Sequence, residues 1–152
     1  MKYWLMKSEP DAFSIDDLAR ARREPWSGVR NYQARNFMRT MSVGDGVFFY
    51  HSSTAVPAIV GLAEVASDAY PDPTQFDRKS PYFDPKSTRE EPRWSLVDIA
   101  FKRKLKRIIS LDELKAAADT LDGFALLSRG NRLSVMPVTA GQWKTILSLE
   151  QG

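Results

Sequence analysis

The chain has 152 residues, 43% hydrophobic and 27% charged, which fits one globular domain over residues 1–152 with a core of its own. It contains no cysteine, which excludes disulfides, thiolate catalysis and cysteine-bound metal. Twenty-two basic residues against 19 acidic give +3, and five of the positive charges fall in one run, KRKLKR (Lys102 to Arg107), so the basic character is patchy.

The opening KYWLM (Lys2 to Met6) is a short apolar run that predicts a strand. It turns polar too soon for a secretory leader, and no later stretch approaches the ~20 apolar residues of a membrane span. The expected setting is cytoplasmic, or nuclear in a eukaryote, with no membrane partner. Ser14 followed by Asp17 has capping-box spacing and starts a short helix; a loop holding Pro25 follows. From Asn31 to Met41, Ala34, Phe37, Met38 and Met41 recur at i, i+3, i+4 and i+7, the stripe of a helix facing a core. Asn31, Arg35 and Arg39 fall on another face, so the two guanidinium groups point one way. SVGDG ends that helix. VFFYH (Val47 to His51) and AIVGLAEV (Ala58 to Val65) read as a strand pair. Residues 67 to 93 hold five prolines among Asp, Ser and Lys, a long irregular excursion of the kind that carries function.

WSLVDIAFKRKL places Val97, Ile99, Phe101 and Leu105 on one face, a strand with one wet side. Ser110 with Glu113 and Thr139 with Gln142 repeat the capping-box spacing and predict two more helices, with a strand at RLSVMPV (Arg132 to Val138) between them. Strands and helices mix without regular alternation. The expected architecture is α+β, a curved mixed sheet or open barrel of five or six strands flanked by short helices.

The chemistry on offer is that of binding. The lone histidine, His51, ends an apolar strand, and no spacing pairs it with a carboxylate for a metal. Ser52 and Ser53 follow it, but neighbours along a strand point to opposite faces and make no nucleophile–base pair. No glycine-rich phosphate loop appears, so neither catalytic residues, metal nor cofactor is expected. The rings keep other company. Trp26 opens WSGVRNYQAR, with Arg30, Arg35 and Arg39 after it and no acid between, and Tyr82 and Phe83 lie in the proline-rich excursion. Rings on loops beside basic side chains are the ingredients of a base-stacking pocket with phosphate grips. In KSEP, Ser8 and Glu9 follow the first strand, and a carboxylate can accept from the exocyclic amine of cytosine. KRKLKR fits either a phosphate path or the charged face of an edge strand.

YWLMKSEP, WSGVRNYQARNFMR, VGDGVFFYHS, VGLAEV, PYFDPKS, PRWSLVDI and RLSVMPV, in this order and over nearly the whole chain, resemble the EVE domain, a member of the PUA-like superfamily related to YTH domains. The resemblance implies a PUA-like fold and a non-catalytic reader that flips a modified base, foremost a modified cytosine in DNA, into an aromatic pocket. Met6 to Ser8 resembles the Lys-Ser step bordering the YTH pocket, and Trp26-Ser27 the step that supplies a cage wall. Tyr82 or Phe83 falls where the second ring comes from, and Arg129 to Arg132 near the closing loop. The candidate pocket is thus Lys7, Ser8, Glu9, Trp26, Ser27, Asn31, Tyr32, Ser52, Tyr82 and Phe83, with Tyr32 standing between pocket floor and core. Arg30, Arg35, Arg39 and Arg132 are the candidate phosphate contacts. The expected partner is nucleic acid, DNA ahead of RNA, bound by a monomer. Two rival readings stay open: an enzyme of nucleic-acid metabolism using Lys7, Glu9, Tyr50 and His51, and a pocket for a free nucleoside or peptide.

Overall fold

A computed structural model describes residues 1–152. Its strands are β1 (Tyr3–Ser8), β2 (Arg23–Pro25), β3 (Gly46–His51), β4 (Ala58–Val65), β5 (Tyr70–Pro71), β6 (Ser95–Leu96), β7 (Asp98–Ser110) and β8 (Val135–Val138). Its helices are α1 (Ile15–Ala21), α2 (Tyr32–Arg39), α3 (Leu111–Ala116) and α4 (Ala140–Leu149). Six strands form one mixed sheet in the order β2-β7-β4-β3-β1-β8, and β5 pairs with β6 in a separate ribbon. Only β1 and β3 run parallel, Tyr3 opposite Gly46 through Ser8 opposite His51. Register breaks between Phe49 and Tyr50 of β3, and twice along β4 against β7, bend the sheet into a half-barrel.

Both faces of the sheet are covered, which explains why YWLM and VFFY read as unbroken apolar runs. Trp4, Met6, Val47 and Phe49 point into one core with α1 and α2, while Leu5, Phe48 and Tyr50 point into the other with α3 and the α4 residue Ile146. In the second core Trp143 stacks between Tyr3 and Phe48, at 4.6 and 4.0 Å between centroids. Gly61 of β4 lets α1 approach: a β-carbon there would stand 2.5 Å from Ile15 Cδ1.

The capping boxes at Ser14/Asp17 and Thr139/Gln142 are both complete. At Ser110 only half forms. The hydroxyl accepts from the Glu113 amide, but the Glu113 carboxylate turns to Arg107, at 2.8 and 2.7 Å. The loop expected at Pro25 is instead the edge strand β2, where a missing amide costs no ladder bond. Asn31 is the N-cap of α2, accepting from the Ala34 amide at 2.9 Å, and Ala34, Met38 and Met41 are buried as the stripe predicts.

The excursion between β4 and β6 is ordered by one buried side chain. Gln75 donates to the carbonyls of Asp72 and Trp94 and accepts from the Ser87 hydroxyl and the Trp94 amide, at 2.6–3.0 Å. Trp94 Nε1 donates to Asp84 at 2.7 Å and closes the strap on itself. KRKLKR lies on β7, which pairs with β4 on one side and on the other has no neighbour beyond the reach of β2. Its charges pair with Glu64 (Lys102), Glu150 (Arg103), Asp16 (Lys104) and Glu113 (Arg107), while Glu150 also accepts from the Lys106 amide. Four of the five cations thus meet an acid, as on the charged face of an edge strand. Arg103 and the Lys106 amide hold the Glu150 carboxyl at about 2 against the cost of burial.

Candidate nucleic-acid interface

Where β1 leaves the sheet, a cavity of about 420 Å³ opens at the surface. The β1 exit (Lys7, Ser8, Glu9) and the turn after it (Ala12, Phe13) form one side. The segment from Glu24 to Arg30 forms the opposite side, and Tyr82 and Ser134 close the rim. The β1 exit is held in shape from within. The Glu9 carbonyl accepts from the amides of Ala12 and Phe13, and the Ser8 hydroxyl donates to the Phe13 carbonyl at 2.5 Å. The Lys7 amide donates to the Ser134 carbonyl, which brings the β8 approach to the same rim.

Trp26 is the deepest ring of the wall, 8% exposed. Phe13 and Phe49 meet it at right angles, at 6.4 and 5.6 Å between centroids, and fix its plane. Trp4 and Trp94 place their indole N–H groups on Asp45 and Asp84. The Trp26 N–H has no acceptor within the protein, yet the sole buried side-chain polar atom without a partner is Arg107 Nε. The Trp26 donor therefore lies on the accessible sliver of the ring, at the cavity. Glu24, two residues earlier on the extended β2 segment, shares the face of Trp26. It is half-buried and makes no ion pair or side-chain hydrogen bond, and burial pushes its carboxyl up. Burial also pulls the Lys7 ammonium down; its Nζ stands 6.0 Å from the centre of the Tyr50 ring.

The outer lip is built on Asp72. This buried carboxylate accepts from the Gly28 amide (2.8 Å), Arg30 (3.2 Å), and the Thr74 amide and hydroxyl (2.8 and 2.6 Å). Burial alone would raise its carboxyl; the bonds from Thr74, Gly28 and Arg30 outweigh that and hold it below the usual carboxylate range. Arg30 commits all five of its N–H donors, to Asp72, Thr74, and the carbonyls of Val29 and Tyr82. Its guanidinium lies between the rings of Tyr82 and Trp94, at 5.6 and 5.3 Å. Gly28, at φ +87°, gives Tyr82 room to lie across the lip.

Beyond the lip, Tyr32 stacks on Trp94 at 4.7 Å, and Arg35 lies 4.7 Å from the Tyr32 ring. Arg35 donates to the Arg93 carbonyl and to Asn36, and Arg39 to Ser95 and the carbonyls of Pro92 and Arg93. Neither meets an acidic side chain, so both charges stand uncompensated on one face.

Residues 2–149 match the EVE domain family. The chain belongs to that family. Mouse thymocyte nuclear protein 1 is 46% identical over 98% of this chain and 74% of its own length. A crystal structure of a Pseudomonas syringae protein is 53% identical, covering 97% of this chain and 99% of that one at a TM-score of 0.93. The crystal structure of the human THYN1 protein in complex with 5-methylcytosine-containing DNA is 42% identical, covering 100% and 99% at a TM-score of 0.96. The curled mixed sheet is thus the PUA-like fold expected of an EVE domain.

Among the candidate pocket residues of this EVE domain, Lys7, Ser8, Glu9, Trp26, Ser27 and Tyr82 line the cavity. Asn31, Tyr32, Ser52 and Phe83 do not. Asn31 caps α2, Tyr32 packs on Trp94, and the Ser52 amide extends the β1–β3 pairing by donating to the Ser8 carbonyl. Phe83 is half-buried within the strap. Arg30, expected to contact phosphate, is instead a strut with no free donor. Arg35 and Arg39 keep their charge outward, and Arg132 is exposed two residues before Ser134. The rival acid–base quartet is not assembled. Tyr50 belongs to the opposite core, and His51 Nε2 accepts from the Ile15 amide at 3.1 Å, with burial pulling its pKa down. Sequence reasoning passed over Glu24, Asp72 and Gln75. DP in YPDPTQF is a cap signal that marks Asp72; nothing local marks Gln75.

Proposed function

We propose that this EVE domain is a non-catalytic DNA reader that takes a modified cytosine, flipped from its stack, into the cavity walled by Trp26. The observation that carries the reading is the human relative's complex with 5-methylcytosine-containing DNA, on a chain of the same fold along its whole length. The geometry supports it in three ways. The cavity is of the size that holds a small ligand, within the range of about 300–1,000 Å³. Its deepest wall is the indole of Trp26, a core ring that opens an edge to the cavity, and contact with it recovers part of a flipping cost of a few kcal/mol. In this reading the uncompensated guanidinium groups of Arg35 and Arg39, with Arg132 on the β8 side, hold the strand from which the base swings.

The test is a titration of the protein with duplexes carrying one 5-methylcytosine, one 5-hydroxymethylcytosine or plain cytosine, with the matching RNA as a further arm. Binding to a marked duplex should exceed the plain one, and Trp26→Ala should lower it at least tenfold. Equal binding to all duplexes, unchanged by Trp26→Ala, overturns the reading.

A further inference from the structure

Taking the Trp26 cavity as a base pocket, we infer that Glu24 accepts a hydrogen bond from the exocyclic amine of the bound base, so that the cavity takes 4-aminopyrimidines and rejects thymine. The problem it answers is chemical. Thymine carries the same ring and the same 5-methyl group as 5-methylcytosine. The two differ at C4, amine against carbonyl, and at N3, lone pair against N–H. Neither a stacking wall nor a methyl niche separates them, because shape selects poorly between isosteres, whereas a directed polar group selects strongly.

The cavity's free donors are the Lys7 ammonium and the Trp26 N–H, so selection against thymine rests on the acceptors that stand beside them. The Ser8 hydrogen is committed to the Phe13 carbonyl, which leaves the Ser8 oxygen as an acceptor only. Arg30, the cation at the lip, has every donor engaged within the protein and offers none to a thymine carbonyl. Glu24 stands on the face of Trp26, half-buried and without any internal partner. Holding a carboxylate partly out of water without a hydrogen bond is costly, and a ligand that brings a donor offsets that cost. Against cytosine the carboxylate meets an N–H, a known reading contact. Against thymine it meets O4, acceptor facing acceptor. Glu9 lines the same cavity but is exposed, so water competes for it; the half-buried Glu24 is the stronger discriminator.

The experiment places 5-methylcytosine or thymine opposite an abasic site in one duplex, so that each is equally free to leave the stack. Fluorescence anisotropy then gives the affinity ratio for the wild type and for Glu24→Gln, with thermal unfolding of both as a check on the fold. The wild type is expected to favour 5-methylcytosine at least tenfold. In Glu24→Gln the ratio should fall below threefold, with thymine binding strengthened outright because a carboxamide can donate to O4. A merely structural role for Glu24 would weaken both bases alike. A wild-type ratio retained by Glu24→Gln overturns the assignment of Glu24 alone, provided Trp26→Ala still abolishes binding. Loss of every base preference together with indifference to Trp26→Ala overturns the pocket reading itself.

Discussion

Gly28 and Tyr82 meet as bare backbone against ring: a β-carbon on Gly28 would stand 2.7 Å from the ring carbons of Tyr82. The contact sets where Tyr82 lies, and Tyr82 forms the lip of the cavity. Gly28→Ala should therefore act on binding more than on folding. Strain at positive φ costs about 1 kcal/mol, which lowers the melting temperature by about 2–4 °C in a domain of this size. Affinity for a methylated duplex should fall at least fivefold as the ring is pushed aside. The double-mutant cycle with Tyr82→Ala checks the cause, since removing the ring removes the clash and the two effects should not add.

Asp72 ties the lip to the strap and is the buried counter-charge of Arg30. Asp72→Asn keeps the shape and leaves the guanidinium unpaired, so it should destabilise by about 3 kcal/mol in urea unfolding. The pH dependence has a definite sign. The folded carboxyl is held below its unfolded value, so its contribution is complete above the unfolded pKa of about 4 and is lost as pH falls through the folded value. The wild type should lose stability below about pH 4, and Asp72→Asn should flatten that acid limb. An acid limb of unchanged steepness would show that other carboxylates set it.

Arg35 and Arg39 carry charge that no acid neutralises, unlike the paired cations of KRKLKR. If they hold phosphates, each replacement by Gln should reduce the slope of log affinity against log salt by about 0.9. Replacing Arg103, whose partner is Glu150, should leave that slope alone. Equal slopes for the wild type and Arg35→Gln/Arg39→Gln would remove the phosphate role.

What could be read from the sequence was what is local or periodic. The boxes at Ser14 and Thr139 span only four residues, and the Ala34–Met38 stripe needs only the helical repeat. What escaped depends on partners far along the chain. β2 is three residues long and exists because Ile99 lies opposite Glu24. The strap looks formless in composition, yet one amide at Gln75 gathers Asp72, Ser87 and Trp94. KRKLKR stood open between an anion path and an edge-strand face because its acids come from four other segments. Trp26 was singled out by its company of arginines, but of those three only Arg35 and Arg39 face outward; Arg30 serves the scaffold. Glu24 gave no signal, since a lone acid in REP becomes distinctive only when its lack of a partner is visible.

The position of β1 has a consequence for how the molecule comes into being. The domain's first strand lies inside the sheet, flanked by β3 and β8, and its far end is tied to Ser134. During translation it must wait, unpaired on one side, until more than a hundred further residues have emerged, and such distant pairings close slowly. The cavity at its exit is therefore among the last features to be completed. A chain interrupted before residue 134 has the indole and the arginines but no finished recess, so a completed cavity reports that the whole domain has folded.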